Sequence, residues 1–466
     1  MEKRTFLAFF LTLLFLITWS YFLSKHYPVP SQQEKKEPRE EKKEEKIILI
    51  EKKEEKLPQV EIGNFFITYS PTGGYVKKIK LKSYQEGLLF KNIGFVSQGK
   101  EKKYQVKIEE NKIIFSHQKE KKEFIFEGYT LKIKFSRPVA LLLFSVPLSP
   151  KLWNQRYQEV FYFQKNSLIR KHWKKVKKES LKEIKFAGSR GRYYCISLLK
   201  GNYQIRWEKI NKKEIYVFQE TPLKEINFYI GPQIKKELSK FGLEEIIYYG
   251  FFNGIGIILI RLLYLFYFLT KNWGASIVLL SIFIYFVIFP FTAKSTKAMR
   301  KIQELQPRIE ELKKKYADNP QKLNKEILEL YKKYHINPLG GCLPLFFQLP
   351  VFVALYQVFF RFVELKKASF LWIKDLSLPD HAFKLPFDYP LDYFNLLPIL
   401  IVIVGLIQQK ITSSKAPSEQ KSMGLFFMVF LGVIFYTFPA CLTLYWLIQN
   451  LLTLVYQSRS AKNTEA

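Results

Sequence analysis

Six hydrogen-bonding or aromatic side chains stand inside otherwise apolar runs: Ser281, Tyr285, Gln348, Tyr445, Trp446 and Asn450. Ser281 and Tyr285 are four residues apart, so on a helix they share one face. In apolar surroundings such groups offer neutral hydrogen bonds, and two roles are open to them. One is an interhelical bond worth about 0.6 kcal/mol on average; the other is the lining of a wet groove that receives a polar segment. For Trp446 a third role, an interfacial anchor, is also open. Gln357, Asn395, Gln408 and Gln449 are weaker candidates of the same kind. Covalent or metal chemistry finds no support. His26, His117, His172, His335 and His381 are isolated, and Cys195, Cys342 and Cys441 have neither disulfide nor metal-ligand spacing. No enzyme activity, catalytic residue, metal or cofactor is expected.

Gln348 lies in the most telling stretch, residues 337–356. Asn337 and Pro338 stop a helix, Gly340 and Gly341 follow, and an apolar run is then broken by Pro344 and Pro350. A proline inside a helix costs about 3 kcal/mol in water. Within a bilayer, neighbouring helices or water can satisfy the freed carbonyl groups. The pattern predicts a kinked membrane span beside something wet.

The elements that must hold these residues follow from hydropathy and charge. Residues 1–24 carry Lys3 and Arg4 before an apolar run with no small-residue cleavage site, which predicts an uncleaved transmembrane anchor. Residues 25–57 form a Lys/Glu-rich linker around Ile47-Ile48-Leu49-Ile50. Over 58–235 the period is two, as in Leu131, Ile133 and Phe135 alternating with Lys132 and Lys134, which predicts an all-β sandwich. Within it, Tyr193–Leu199 and Tyr203–Trp207 read as a hairpin across Gly201-Asn202.

Helical spacing takes over at 236–271. Arg261 inside this run favours a helix lying in the membrane interface. The core, 272–457, holds spans at about 273–292, 342–363, 393–411, 423–438 and 440–456, the first ending near Pro290 and the last two parted by Phe438-Pro439. Between the first two, residues 294–336 form a helical hairpin. Ile302, Leu305, Ile309, Leu312 and Tyr316 make one seam, Leu323, Ile327, Leu330 and Tyr334 the other, with Pro320 opening the second helix. Residues 458–466 are a tail, too short for a dedicated ribosome-binding extension. Six spans result. The basic short loops place both termini and the hairpin in the cytoplasm and the β domain in the periplasm.

The net charge of +33 sits mostly in the β domain, where residues 58–245 hold 38 Lys/Arg against 18 Asp/Glu. No basic motif with interleaved aromatic platforms accompanies it. The excess reads as a Lys-rich surface laced by ion pairs rather than a nucleic-acid site.

The 337–356 stretch resembles the third-span signature of the YidC insertase family. Further stretches resemble the family in the same order: Tyr229-Ile-Gly-Pro232, Leu243 to Gly250, Asn272-Trp273-Gly274 with Ser276, Leu305-Gln306-Pro307, Leu371-Trp372-Ile373 with Asp375-Leu376-Ser377 and Asp380, then Leu444-Tyr445-Trp446 with Asn450-Leu451. They cover about 229–456; over 58–228 only Thr72-Gly73-Gly74 and the architecture agree.

The resemblance implies a chaperone and insertase of the bacterial inner membrane. Its groove opens to cytoplasm and lipid, and it acts on newly made membrane proteins alone or with a Sec-type translocon. Ribosome and signal-recognition components are expected as partners of the basic hairpin, alongside the lipid bilayer, with no direct nucleic-acid partner. Ser281, Gln348 and the Tyr445-Trp446 pair stand where family members contact substrate. One departure matters: the arginine usual just before the second-span proline is Tyr285 here. That departure points to a groove working through neutral groups. A transporter or channel with an accessory β domain is the alternative; it predicts inverted repeats and paired intramembrane charges, which the sequence does not display.

Overall fold

Alternating residues build one compact unit and helical spacing builds a second, the chain dividing between Gly231 and Pro232. The computed structural model describes residues 57–82, 90–93, 102–147, 157–210, 214–335, 343–386, 393–412 and 418–465. The expected anchor, nearly all of the Lys/Glu-rich linker, Asn337, Pro338, Gly340, Gly341 and the side chain of Pro344 lie outside the described residues.

The first unit is β-rich. Strands β1 (Gln59–Ile62), β2 (Phe65–Ser70), β3 (Tyr75–Leu81) and β4 (Phe90–Ile93) are followed by the meander β5 (Gln105–Glu109), β6 (Lys112–His117) and β7 (Glu120–Glu127). The meander ladders onto the first half of the long β8 (Thr130–Pro147), and β4 meets its second half where Lys91 pairs with Ser145. Then come β9 (Glu159–Gln164), β10 (Ser167–His172), β11 (Glu179–Ile184), β12 (Phe186–Arg190), β13 (Tyr194–Leu198), β14 (Tyr203–Ile210) and β15 (Glu214–Pro232). β15 runs along β8 from the Glu214–Pro147 pair to the Tyr229–Thr130 pair, with irregular register between Val217 and Glu225. These irregularities let both long strands bend and serve both halves of the sheet system. In place of two separate sheets, all the described strands of this unit form one hydrogen-bonded network.

The alternation around Leu131 is as expected: Leu131, Ile133 and Phe135 are buried, Lys132 and Lys134 are not. The predicted hairpin across Gly201-Asn202 does not form. β13 lies between β12 and β15, whereas β14 pairs with β11 and β15. Every residue of β13 is buried, so it needs a central position with both faces covered. The chain at the turn is held elsewhere instead, Leu199 N–H on Asn227 and Gly201 N–H on Lys185. Around the unit, pairs such as Lys132–Glu225 and Lys171–Glu179 form the anticipated ion-pair surface.

The second unit is helical. Residues 236–271 are not one helix but a short α1 (Lys235–Ser239), a 3-10 turn (Glu244–Ile246) and α2 (Asn253–Thr270). The break is conformational: Gly250 has φ +105°, and a Cβ there would lie 2.5 Å from Gln357 Oε1. Next is α3 (Trp273–Glu304), opened by Asn272, whose Oδ1 accepts the Ala275 N–H at 3.1 Å. It runs through Pro290 rather than ending there, because the following Ala, Lys, Met and Arg residues sustain a helix beyond the single lost bond. The hairpin is α4 (Gln306–Lys315) and α5 (Pro320–Lys333), so it begins later than position 294. Asn319 caps α5, and Leu305 and Ile309 pack with Ile302, Ile327, Leu330 and Tyr334. The remaining helices are α6 (Leu343–Phe359), α7 (Leu396–Thr412), α8 (Ser418–Phe435) and α9 (Ala440–Glu465). The last two part at Phe438-Pro439 as expected.

One buried cluster joins α2, α3, α6, α7 and α9 through residues such as Leu263, Leu280, Leu355, Ile401 and Tyr445. The outside is also apolar. Phe286 and Val287 on α3, Ile403 and Ile407 on α7, and Phe426, Phe427 and Val433 on α8 are all exposed. α2 and α3 are long and apolar enough to cross a membrane. An apolar wall of this extent is suited to lipid, not water.

Candidate substrate groove

The six candidates fall on three helices and meet in two places. On α3, Ser281 is 0% and Tyr285 7% exposed, and α9 meets the chain at both positions. The Ser281 hydroxyl donates to its own helix at Ile277 O, 2.6 Å, while Ser281 O accepts from Gln449 Nε2 at 2.8 Å. One turn on, the Tyr285 hydroxyl donates to Leu452 O at 3.2 Å. Phe289 then meets Tyr456 edge to face at 5.0 Å. Further along, Arg300 donates to Ser460 O at 2.5 Å. The polar face of α3 is therefore closed along α9 by bonds from side chains to backbone carbonyls.

The second meeting place joins α6 to α9. Gln348 Nε2 donates to the Tyr445 hydroxyl at 2.5 Å; Gln348 is partly exposed and Tyr445 is fully buried. Trp446, beside it, packs against Phe352 at 5.3 Å and Phe435 at 5.4 Å. Those contacts place Trp446 against the core cluster rather than free at a surface. Asn450 is partly exposed, and its carbonyl accepts Gln408 Nε2 from α7 at 2.8 Å. Phe291 and Phe347 stack at 3.9 Å, bringing α3 to α6 beside Pro290.

Gln449 and Gln408, the weaker candidates, thus tie α9 to its two neighbours. Their acceptors are main-chain carbonyls, which no residue type advertises. Gln357 accepts the Phe252 N–H at 3.4 Å, and Arg361, just past the end of α6, donates to Tyr249 O at 2.7 Å. Both hold the segment before α2. Asn395 and Asp380 lie in the loop between α6 and α7, apart from both meeting places. Asp380 accepts the Leu396 N–H at the start of α7 at 2.7 Å, a cap with no local signal because that helix begins at Leu396, far along the chain.

Among the described residues no group of His, Cys, Asp and Glu could hold a metal ion. What the site offers is a set of uncharged donors and acceptors inside an apolar-walled helical bundle. A β-rich domain and a helical membrane core carrying such a polar seam define a class of polytopic membrane protein. Residues 265–465 match the family described as the 60Kd inner membrane protein. The membrane protein insertase YidC of Syntrophobacter fumaroxidans is 39% identical over 247 residues, 51% of this chain and 44% of the relative. That of Methylobacillus flagellatus is 40% identical over 241 residues, 51% and 41% of the two chains. An active YidC insertase crystal structure aligns over 87% of this chain and 92% of its own, at 20% identity and a TM-score of 0.49. The C-terminal half of the chain is thus similar in sequence to YidC insertases. The chain spans less than half the length of the curated relatives it matches.

Proposed function

We propose that this protein is a membrane-protein insertase and chaperone. It moves apolar segments of newly made proteins into the inner membrane through a polar groove open to cytoplasm and lipid, alone or with a Sec-type translocon. Moving a polar tail across about 30 Å of hydrocarbon costs several kcal/mol for each backbone group left without water. A wet, hydrogen-bonding indentation shortens that path. The arriving apolar segment then partitions into lipid and supplies the driving free energy, about 25 cal/mol per Å² buried.

The topology that serves this function has six spans, with both termini and the α4–α5 hairpin in the cytoplasm and the β-rich domain in the periplasm. α2 lies in the interface with Arg261 towards headgroups, and the basic hairpin receives ribosome, signal-recognition components or the emerging chain. The observation that carries the reading is the Gln348–Tyr445 bond. It sets a partly exposed amide against a buried hydroxyl, in the half of the chain that matches the insertases. Ser281, Tyr285, Trp446 and Asn450 extend the polar lining, and the neutral Tyr285 makes it a groove without a fixed charge.

Reconstitution in proteoliposomes tests the proposal. Tyr285→Asp and Gln348→Ala are expected to impair insertion of single-span substrates, and photocrosslinkers at positions 281, 285, 348 and 446 to reach a stalled nascent chain. Unimpaired insertion by both variants removes these residues from the mechanism.

A further inference from the structure

The loop between α6 and α7 closes one end of the helical bundle, and we propose that Asp380 is the positioning residue that locks it against water. Asp380 is 3% exposed. Its Oδ2 accepts three donors: the Leu396 N–H at 2.7 Å, the Leu397 N–H at 3.0 Å and Trp372 Nε1–H at 3.2 Å. The first two are N–H groups at the start of α7, which have no partner inside the helix. A carboxylate, an acceptor with no hydrogen of its own, suits the positive end of a helix better than any other side chain of this length.

The same loop reaches the other helices at this end. Leu378 O accepts the Ala440 N–H at 2.7 Å and Leu376 O the Cys441 N–H at 3.0 Å, satisfying the start of α9. Asn395 Oδ1 accepts the His381 N–H, and its Nδ2 donates to Tyr436 O, both at 2.9 Å, tying in the end of α8. Asn272 Nδ2 donates to Ser369 O at 3.3 Å, tying in the start of α3. Ile373, Leu376 and Ser377 are buried beneath these bonds. Orphan groups at two helix starts are thus satisfied by protein rather than by water. A groove wet from one side needs such a seal at the other, and in this the inference rests on the insertase reading.

Cys441, fully buried under the Leu376 carbonyl, is a built-in reporter. The full chain, with Cys195→Ser and Cys342→Ser, is reconstituted into vesicles and exposed on one face to a membrane-impermeant maleimide. The parent and Asp380→Asn, which keeps an acceptor oxygen, are expected to label slowly. Asp380→Ala is expected to label more than about tenfold faster, the factor by which losing a charge-assisted hydrogen bond favours local opening. Equal rates in Asp380→Ala and the parent overturn the proposal. If Asp380→Ala does not assemble, Asp380→Ser takes its place, and a rate equal to that of Asp380→Asn overturns it. Insertion of a single-span substrate is measured on the same vesicles. A parent that labels slowly but does not insert counts against the insertase reading and leaves the lock standing.

Discussion

Gln348, partly exposed, and Tyr445, fully buried, satisfy one another across α6 and α9. Removing one partner leaves the other unpaired, whereas removing both leaves an apolar contact, so the pair is expected to couple. Gln348→Leu and Tyr445→Phe, singly and together, should give an interaction energy of about 0.6–1.7 kcal/mol in detergent unfolding. Additive effects would show that the bond contributes nothing. A different residue-scale test lies in the β-rich unit. Lys122 is buried and donates to Gly73 O at 2.7 Å and Gly74 O at 3.0 Å, with the Tyr104 ring 4.8 Å away. Burial lowers its pKa from 10.5 to about 8, while burial and the Glu120 hydrogen bond raise Tyr104 from 10.0 to about 12. Between pH 8 and 10 the unfolded chain therefore binds more protons at Lys122, and stability rises with pH; above 10 the Tyr104 phenol, which the folded chain keeps protonated, reverses the trend. Urea unfolding of this unit should reveal that maximum, and Lys122→Met should abolish the rising limb. A wild-type profile flat from pH 7 to 10 would contradict it.

At the scale of elements, α7 and α8 approach through small residues, as membrane helices do when no hydrophobic drive separates protein from lipid. A Cβ at Gly432 would lie 2.5 Å from Val402 Cγ2, and one at Gly405 would lie 2.5 Å from Met428 Sδ. Gly432→Val should improve helix propensity and still destabilise the helical unit, by about 1–3 kcal/mol, through overpacking. Adding Val402→Ala should recover most of the loss, and no recovery would mean the helices do not meet there. What was legible in the sequence follows the same division between local and distant causes. The α4–α5 hairpin was readable because its seams repeat at 3,4 spacing and Asn319 and Pro320 mark the turn. The break before α2 was not, because Gly250 is needed for a close approach to Gln357, more than a hundred residues away. The false hairpin at Gly201-Asn202 failed for a related reason: a turn signal says where a chain reverses, not which strand it then joins. At the candidate groove, residue types pointed to Ser281, Tyr285 and Gln348, but their bonds to Leu452 O, from Gln449 or to Tyr445 depend on packing that only the fold supplies.

For the whole molecule, two solvents have been written into one chain. Described residues 57–231 form a unit with an apolar interior and a Lys-rich, ion-paired exterior; from Pro232 onwards, outside the basic α4–α5 hairpin, the helices are apolar on the exterior as well. The first kind of unit is stabilised by burial from water, and denaturant weakens it by solvating what unfolds. The second is stabilised within lipid or detergent by packing, small-residue contacts and interhelical bonds, which aqueous denaturant reaches poorly. The two are therefore expected to unfold separately. Calorimetry of the chain in mild detergent should give two transitions, of which only the one belonging to the β-rich unit moves strongly with urea and carries the Lys122 pH signature. Residues 57–231 produced alone should stay soluble without detergent and unfold at the temperature of that transition. Their failure to fold, or a single transition shifted as a whole by Lys122→Met, would mean that each unit needs the other.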